Sequence, residues 1–258
     1  MGLPIIGHLG RKGFDVVVHD INGARQPLVE KGGAQWSQDI AGLAARSDAI
    51  LVCVGFDSEL RALISQSGML QYTRGDTIVV LLSTVHPNTV QELADCGADA
   101  GVYVIDATVC RGGRAADTGT LLSFVGGDKG AFSRLKPVLA TYSTDVVYTG
   151  KAGSAQVAKA ANNLILWSCV VADHEALALA HRYGLNIDAL RAALMTSSAS
   201  NDVLKHWGTN EMVWADDDLA IIGTMANDCG ISLPQTDVVR QVCRTLRPRR
   251  YRLDEYGR

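Results

Sequence analysis

Apolar residues fall in two regimes along the chain. Before residue 150 they come in short, β-branched-rich runs: DVVVH at 15–19, AILVCV at 49–54, TIVVLL at 77–82, VYVIDA at 102–107, LLSFVGG at 121–127 and VVYTG at 146–150. Several are apolar on consecutive positions, the pattern of strands buried on both faces of a parallel sheet. Between them, residues 4–12 and 87–96 carry helical spacing. Strand and helix alternating at this rhythm predict a doubly wound α/β domain.

After Gly150 the spacing changes. Residues 154–183 keep helical periodicity with no glycine or proline, and Gly184 then supplies a helix stop. IDALRAALMTSS, NDVLKHWG and DDLAIIGTMANDCG read as further helices. The division expected is therefore an α/β domain over 1–151 and an all-helical domain over 152–258. No repeat or low-complexity segment interrupts either part.

Composition narrows the function classes. The chain has 258 residues, 47% hydrophobic and 20% charged, with a net charge of −3. That balance gives no electrostatic reason to expect a nucleic acid or an acidic membrane surface as partner. The basic stretch RPRRYR near the C-terminus is followed by two acids and reads as a solvated tail. No uninterrupted apolar stretch long enough for a bilayer stands out, and no basic, apolar leader opens the chain. The six cysteines form no CxxC pair. They read as reduced thiols rather than a disulfide framework or a metal site, and a cytoplasmic setting is expected.

The opening stretch, MGLPIIGHLGRKGFDVVVHD, raises its own question. In a dinucleotide fold the last glycine of G-x-G-x-x-G lets helix and strand pack closely, and an acid about 20 residues on accepts hydrogen bonds from ribose hydroxyls. Gly2 and Asp20 fit those two roles, while the first two glycines and the strand before them are not in the sequence. Ordinary helix packing and a solvent-facing carboxylate account for the same two residues.

Five motifs in order carry a resemblance to the β-hydroxyacid dehydrogenase family, the group of 3-hydroxyisobutyrate dehydrogenase and, more distantly, 6-phosphogluconate dehydrogenase. The opening stretch resembles the end of its cofactor motif. LLSTVHPNTVQELA resembles its serine/threonine loop, DATVCRGGRAADTGTLLSFVGG its substrate motif, GKAGSAQVAKAANN its catalytic motif, and DLAIIGTMANDCGISLP its late helical segment. The resemblance implies a Rossmann-type domain with its first strand absent from this sequence, followed by a helical domain. It also implies a chain that begins about a strand and a turn too late, and assembly as a homodimer or homotetramer.

The resemblance assigns Lys159 to the proton on the substrate oxygen, a task that suits a lysine whose burial lowers its pKa. Asn163, one helical turn on, would orient the substrate or the lysine. Cys110, Arg111 and Gly112 stand where the family has a serine and two glycines that hold a substrate carboxylate. A thiol donates hydrogen bonds less well than a hydroxyl, and Arg111 could compensate with a forked cationic clamp or face solvent. No sequence feature supplies Cys110 with a partner base. Val54, Gly55, Ser83 and Thr84 lie at strand ends where a nicotinamide would sit, although the serine and threonine are also good helix caps. Asp20, followed by a neutral Ile21, favours NAD over NADP, with Arg25 a few residues away. Asp217, Asp218 and Leu219 replace the family's Lys-Asp-Leu.

The reading is hydride transfer between a nicotinamide cofactor and a short β-hydroxy acid or its carbonyl partner. Two alternatives stand beside it. One is an inactive family member with weak nucleotide binding. The other is an imine reductase, against which the lysine at 159 argues.

Overall fold

The computed structural model describes all residues except 67, 210, 248–250 and 258, and the side chains of 65 and 66. The basic run at 247–252 therefore lies partly outside the described residues. Contacts divide the chain into two compact units, Met1–Lys159 and Ala160–Arg258.

The first unit is α/β. Its elements are α1 (Gly2–Arg11), β1 (Val17–Val18), α2 (Gln26–Lys31), β2 (Gln35–Trp36), α3 (Ile40–Arg46), β3 (Ala49–Val52), α4 (Asp57–Arg61), β4 (Ile78–Leu81), α5 (Pro87–Asp99), β5 (Tyr103–Cys110), α6 (Gly112–Thr118), β6 (Leu121–Gly126), α7 (Lys129–Leu139) and β7 (Ser143–Gly150). The main sheet has the order β3-β4-β5-β6-β7. Alternate residues of β4 go to opposite cores. Ile78 and Val80 join α1, α6 and α7 on one face, and Val79 and Leu81 join α3, α4 and α5 on the other. That two-sided burial explains the consecutive apolar runs, and helices on both faces make the unit doubly wound.

Two features depart from the expected parallel sheet. First, β6 runs antiparallel to β5, with Cys110 opposite Leu122 and Asp106 opposite Gly126. The short α6 connection returns the chain without the longer crossover that a parallel neighbour needs. Second, β1 pairs with β2 in a separate two-stranded sheet, Val17 opposite Gln35 and Val18 opposite Trp36. Val16 and Val17 nevertheless pack against the two cores that cover the main sheet. The ribbon thus continues the layer of the main sheet without a hydrogen-bonded join to it among the described residues.

The long helix α8 (Ser154–Arg182) begins in the first unit and continues into the second. By length and composition alone it is long and apolar enough to cross a membrane, although Lys159, Asn162, Asn163 and Asp173 interrupt its apolar run. Trp167, Val170 and Leu177 of this helix are nevertheless buried, as in the core helix of a folded domain. The second unit adds α9 (Ile187–Leu194), α10 (Asp202–Lys205), α11 (Ala215–Asp228) and α12 (Pro234–Leu246). Its core joins Trp167 and Val170 to Leu219, Ile222, Val239 and Leu246.

Candidate active site

The start of α8 is fixed by buried polar groups. Asp106 on β5 is 0% exposed, and its carboxylate accepts the backbone N–H of Gly153 at 3.0 Å and of Gln156 at 3.0 Å. These are amides of the first turn, which have no partner inside the helix. Burial pushes the Asp106 carboxyl above its ordinary range, and the backbone hydrogen bonds oppose that shift. Thr108 donates to the carbonyl of Ala155 at 3.0 Å. The Gln156 amide accepts from Val85 N–H at 3.0 Å and donates to the carbonyl of Ser83 at 2.9 Å. β5 and the loop after β4 thus grip one turn of helix.

Two glycines make room for this grip. A Cβ on Gly126 would stand 2.6 Å from an Asp106 oxygen and 2.6 Å from the Ser154 hydroxyl. Gly153 has φ +87°, and its Cβ would meet the Pro87 carbonyl at 2.8 Å. Neither Asp106, Thr108, Gln156 nor these glycines was singled out from the sequence. The clue was Gly-rich punctuation next to a buried Asp in an apolar run, but a partner some 50 residues away is not written in local pattern.

One turn further, Lys159 is half-buried and its Nζ donates to the carbonyl of Val109 at 2.7 Å. The same Nζ lies 3.8 Å from the Cys110 sulfur. Lys159 and Cys110, chosen separately, are thus brought together. The thiol does have a basic neighbour after all, which the sequence did not disclose. Cys110 is the last residue of β5 and is 4% exposed. Asn163 is buried at 2% exposure and accepts from the Asn162 amide at 3.0 Å.

Arg111 has a different task from the carboxylate clamp considered for it. Its backbone is left-handed at φ 83°, and its guanidinium donates to the Thr120 carbonyl and the Thr144 hydroxyl, both at 3.0 Å. It also pairs with Asp145 at 2.7 Å, which holds that carboxyl below its usual range. The side chain ties the α6 turn to β7. Gly112 follows, also left-handed at φ 72°, and opens α6.

At the other strand ends, the Ser83 hydroxyl donates to the Val54 carbonyl at 2.7 Å and accepts its N–H at 2.9 Å. It knits β3 to β4, and Thr84 beside it is half-exposed. The N–H of Gly55 is taken by Glu59 at 2.6 Å. Gly2 does not show the close packing expected of it: a Cβ there would meet nothing within 4 Å. Asp20 accepts the N–H of Asn22 at 2.8 Å and pairs with Arg25 at 3.4 Å. An arginine beside the acid weakens the electrostatic case against a 2′-phosphate.

In the helical unit, Asp217 is exposed on the first turn of α11 and Leu219 is in the core. Asp218 accepts from the Trp167 indole at 3.0 Å. Asp216 takes both Arg240 and Arg244, at 2.8 and 2.7 Å, and their hydrogen bonds, Arg244 first, lower its carboxyl to about 2. Among the described residues no group of three or more His, Cys, Asp or Glu side chains could hold a metal ion.

Residues 1–150 match the family model for the NAD-binding domain of 6-phosphogluconate dehydrogenase. Residues 153–255 match the model for the NAD-binding domain of NADP-dependent 3-hydroxyisobutyrate dehydrogenase. The chain belongs to the β-hydroxyacid dehydrogenase family. It is 30% identical over 203 residues to the 3-hydroxyisobutyrate dehydrogenase of Pseudomonas aeruginosa, covering 78% of this chain and 68% of that protein. It is 29% identical to the 2-(hydroxymethyl)glutarate dehydrogenase of Eubacterium barkeri, over 77% of this chain and 66% of that one. The fold is similar to that of Mycobacterium tuberculosis 3-hydroxyisobutyrate dehydrogenase solved with L-serine, with a TM-score of 0.87 at 21% identity, covering 95% of this chain and 90% of that one. The family places the chain among NAD(P)-dependent oxidoreductases acting on CH–OH groups.

Proposed function

We propose that the β-hydroxyacid dehydrogenase family member described here oxidises a short β-hydroxy acid to its semialdehyde or keto partner, or runs the reverse reaction, with Lys159 as the proton-handling group. The observation that carries this reading is the placement of Lys159. Its amine is held at the end of β5 by the Val109 carbonyl, one turn beyond a helix start fixed by Asp106 and Gln156. Ligands of α/β sheets gather at the carboxyl ends of the strands, and this amine stands at one.

The nicotinamide cofactor, when bound, supplies the hydride acceptor or donor. Lys159 takes the hydroxyl proton as the substrate is oxidised and returns it in the reverse direction. Asn163, four residues on along the same continuous helix, orients the substrate oxygen or the amine. Cys110 and the left-handed turn at Arg111 and Gly112 lie beside the amine, where a small carboxylate would be held by backbone N–H groups rather than by the committed guanidinium. The relatives that act on 3-hydroxyisobutyrate and 2-(hydroxymethyl)glutarate support a small hydroxy acid as substrate class. Lys159→Ala tests the assignment: kcat should fall about 10²–10⁴-fold with NADH affinity unchanged. An unchanged kcat removes the lysine from the chemistry.

The residues present fit two ends of a dinucleotide. Asp20 suits the adenosine ribose, and the Val54, Gly55, Ser83 and Thr84 strand ends suit the nicotinamide. NAD is the proposed cofactor, on the carboxylate at Asp20. NADH titration of the 258-residue chain, with NADPH in parallel, tests the cofactor reading, and binding of neither would dismiss it. Homodimeric or homotetrameric assembly and a reducing, cytoplasmic setting complete the proposal, and six free thiols are consistent with the latter.

A further inference from the structure

Cys110 and Lys159 are two nucleophiles on separate rigid elements, with 3.8 Å between sulfur and nitrogen. The sulfur ends a strand hydrogen-bonded in register to β6, and the nitrogen rides a helix turn held to β5 and to the loop after β4. Catalysis as described needs the amine and gives the thiol no step. From this juxtaposition we propose that Cys110 is an oxidation site: peroxide converts the pair to a reversible Cys110–Lys159 sulfenamide that takes the amine out of use. The loss of activity rests on the reading of Lys159 above, whereas the linkage itself does not.

The chemistry balances with hydrogen peroxide as the oxidant. The Cys110 thiolate, the reactive form of a cysteine and one favoured by a neighbouring cation, attacks a peroxide oxygen. An S–O bond forms, the O–O bond breaks, and hydroxide departs to become water. Sulfur loses two electrons and peroxide gains them. The Lys159 amine in its neutral form then attacks the sulfenic sulfur. An N–S bond forms, the S–O bond breaks, and the leaving hydroxide takes a proton from nitrogen as a second water, with no further oxidant. To do this the amine leaves the Val109 carbonyl. A dithiol such as dithiothreitol reverses the link: one thiolate attacks sulfur and releases the amine, and its second thiolate closes on the mixed disulfide and frees Cys110.

Burial sets the selectivity. Cys110 is 4% exposed, so a peroxide-sized oxidant is favoured over a bulky alkylating reagent. Cys53 and Cys229 are exposed and serve as internal competitors.

The test treats the full chain with hydrogen peroxide, with and without later dithiothreitol, and maps peptides by mass. The expected result is a joined pair of peptides containing residues 110 and 159, lighter than their sum by two hydrogen atoms and separated again by dithiothreitol. Cys110→Ser and Lys159→Arg should each abolish the joined species, while Cys53→Ser should retain it. NADH-coupled turnover should fall in proportion to the linked fraction and return on reduction. Oxidation confined to Cys53 and Cys229, or Cys110 oxidised without a bond to residue 159, overturns the proposal. A linkage formed in a chain with no turnover before treatment would uphold the site and overturn the dehydrogenase reading instead.

Discussion

The strand ends of the α/β unit are built in two ways. Around Lys159, eight-residue strands β5 and β7 flank β6, and a buried carboxylate, a hydroxyl and an amide side chain fix the start of α8. Around Asp20, two-residue strands β1 and β2 form a ribbon apart from the main sheet, and the acid is held by a turn amide and an arginine. The difference teaches where this enzyme's geometry is stored. The Lys159 end is set by buried hydrogen bonds, which are costly to leave half-made and so tolerate few alternatives. The Asp20 end is set by exposed contacts, each worth little and open to rearrangement.

The largest effect that could break this comparison is at Lys159, where the alanine variant should lose about 10²–10⁴-fold in kcat while Asp20→Ala leaves kcat near the parent value. Comparable losses in both would erase the distinction. Next comes the support beneath the lysine. Asp106→Ala strands buried amides and should cost about 1–3 kcal/mol in denaturant melts, with kcat lowered further as α8 shifts. Gly126→Ala should destabilise by about 1–3 kcal/mol through overpacking, since its methyl would meet Asp106 and Ser154. Retained stability in both variants would mean that the helix start is not specified there.

A smaller effect sharpens the Asp20 side. Removing one charged hydrogen bond, worth about 1.5 kcal/mol, should weaken NADH about tenfold in Asp20→Ala. NADPH should gain relative to NADH, because Arg25 loses its partner. Isothermal titration with both cofactors reads the ratio, and an unchanged ratio removes Asp20 from cofactor choice. The smallest effect lies in the helical unit. Asp216 has a folded pKa depressed to about 2, so its stabilising contribution is present above the unfolded carboxylate value near 3.9 and is lost as pH falls through the folded one. Asp106 has the opposite sign: its raised folded pKa favours the fold below the unfolded value, an advantage lost as pH rises through the folded one. Melts of Asp216→Asn and Asp106→Asn between acid and neutral pH should therefore diverge from the parent in opposite directions, the first mostly above the acid range.

Much of this was legible in the chain, for reasons that differ by element. β3, β4 and the long helix α8 announce themselves because two-sided burial and helical spacing act on consecutive residues. β2 could not be seen: Gln35 and Trp36 make too short a strand for any period. The antiparallel turn of β6 was hidden because strand direction is set by pairing, not by the composition of LLSFVG. Lys159 was singled out through its flanking motif. What holds it was not, because Asp106 meets Gln156 and Ser83 meets Gln156 only after the chain has folded back on itself. The pairing of Arg111 was hidden for the same reason, since its partner Asp145 is on β7.

The buried carboxylate of Asp106 has a consequence for how the molecule is made. Its two amide partners belong to Gly153 and Gln156, beyond residue 150 where the first family model ends. A nascent chain released only as far as that boundary carries every strand of the sheet but neither of these two donors to its buried carboxyl. During synthesis, which delivers the amino-terminal part first, the sheet must therefore wait for the opening turn of α8 before its buried carboxyl is satisfied. The genetic order of sheet and helix makes the start of the helix a timer for the sheet.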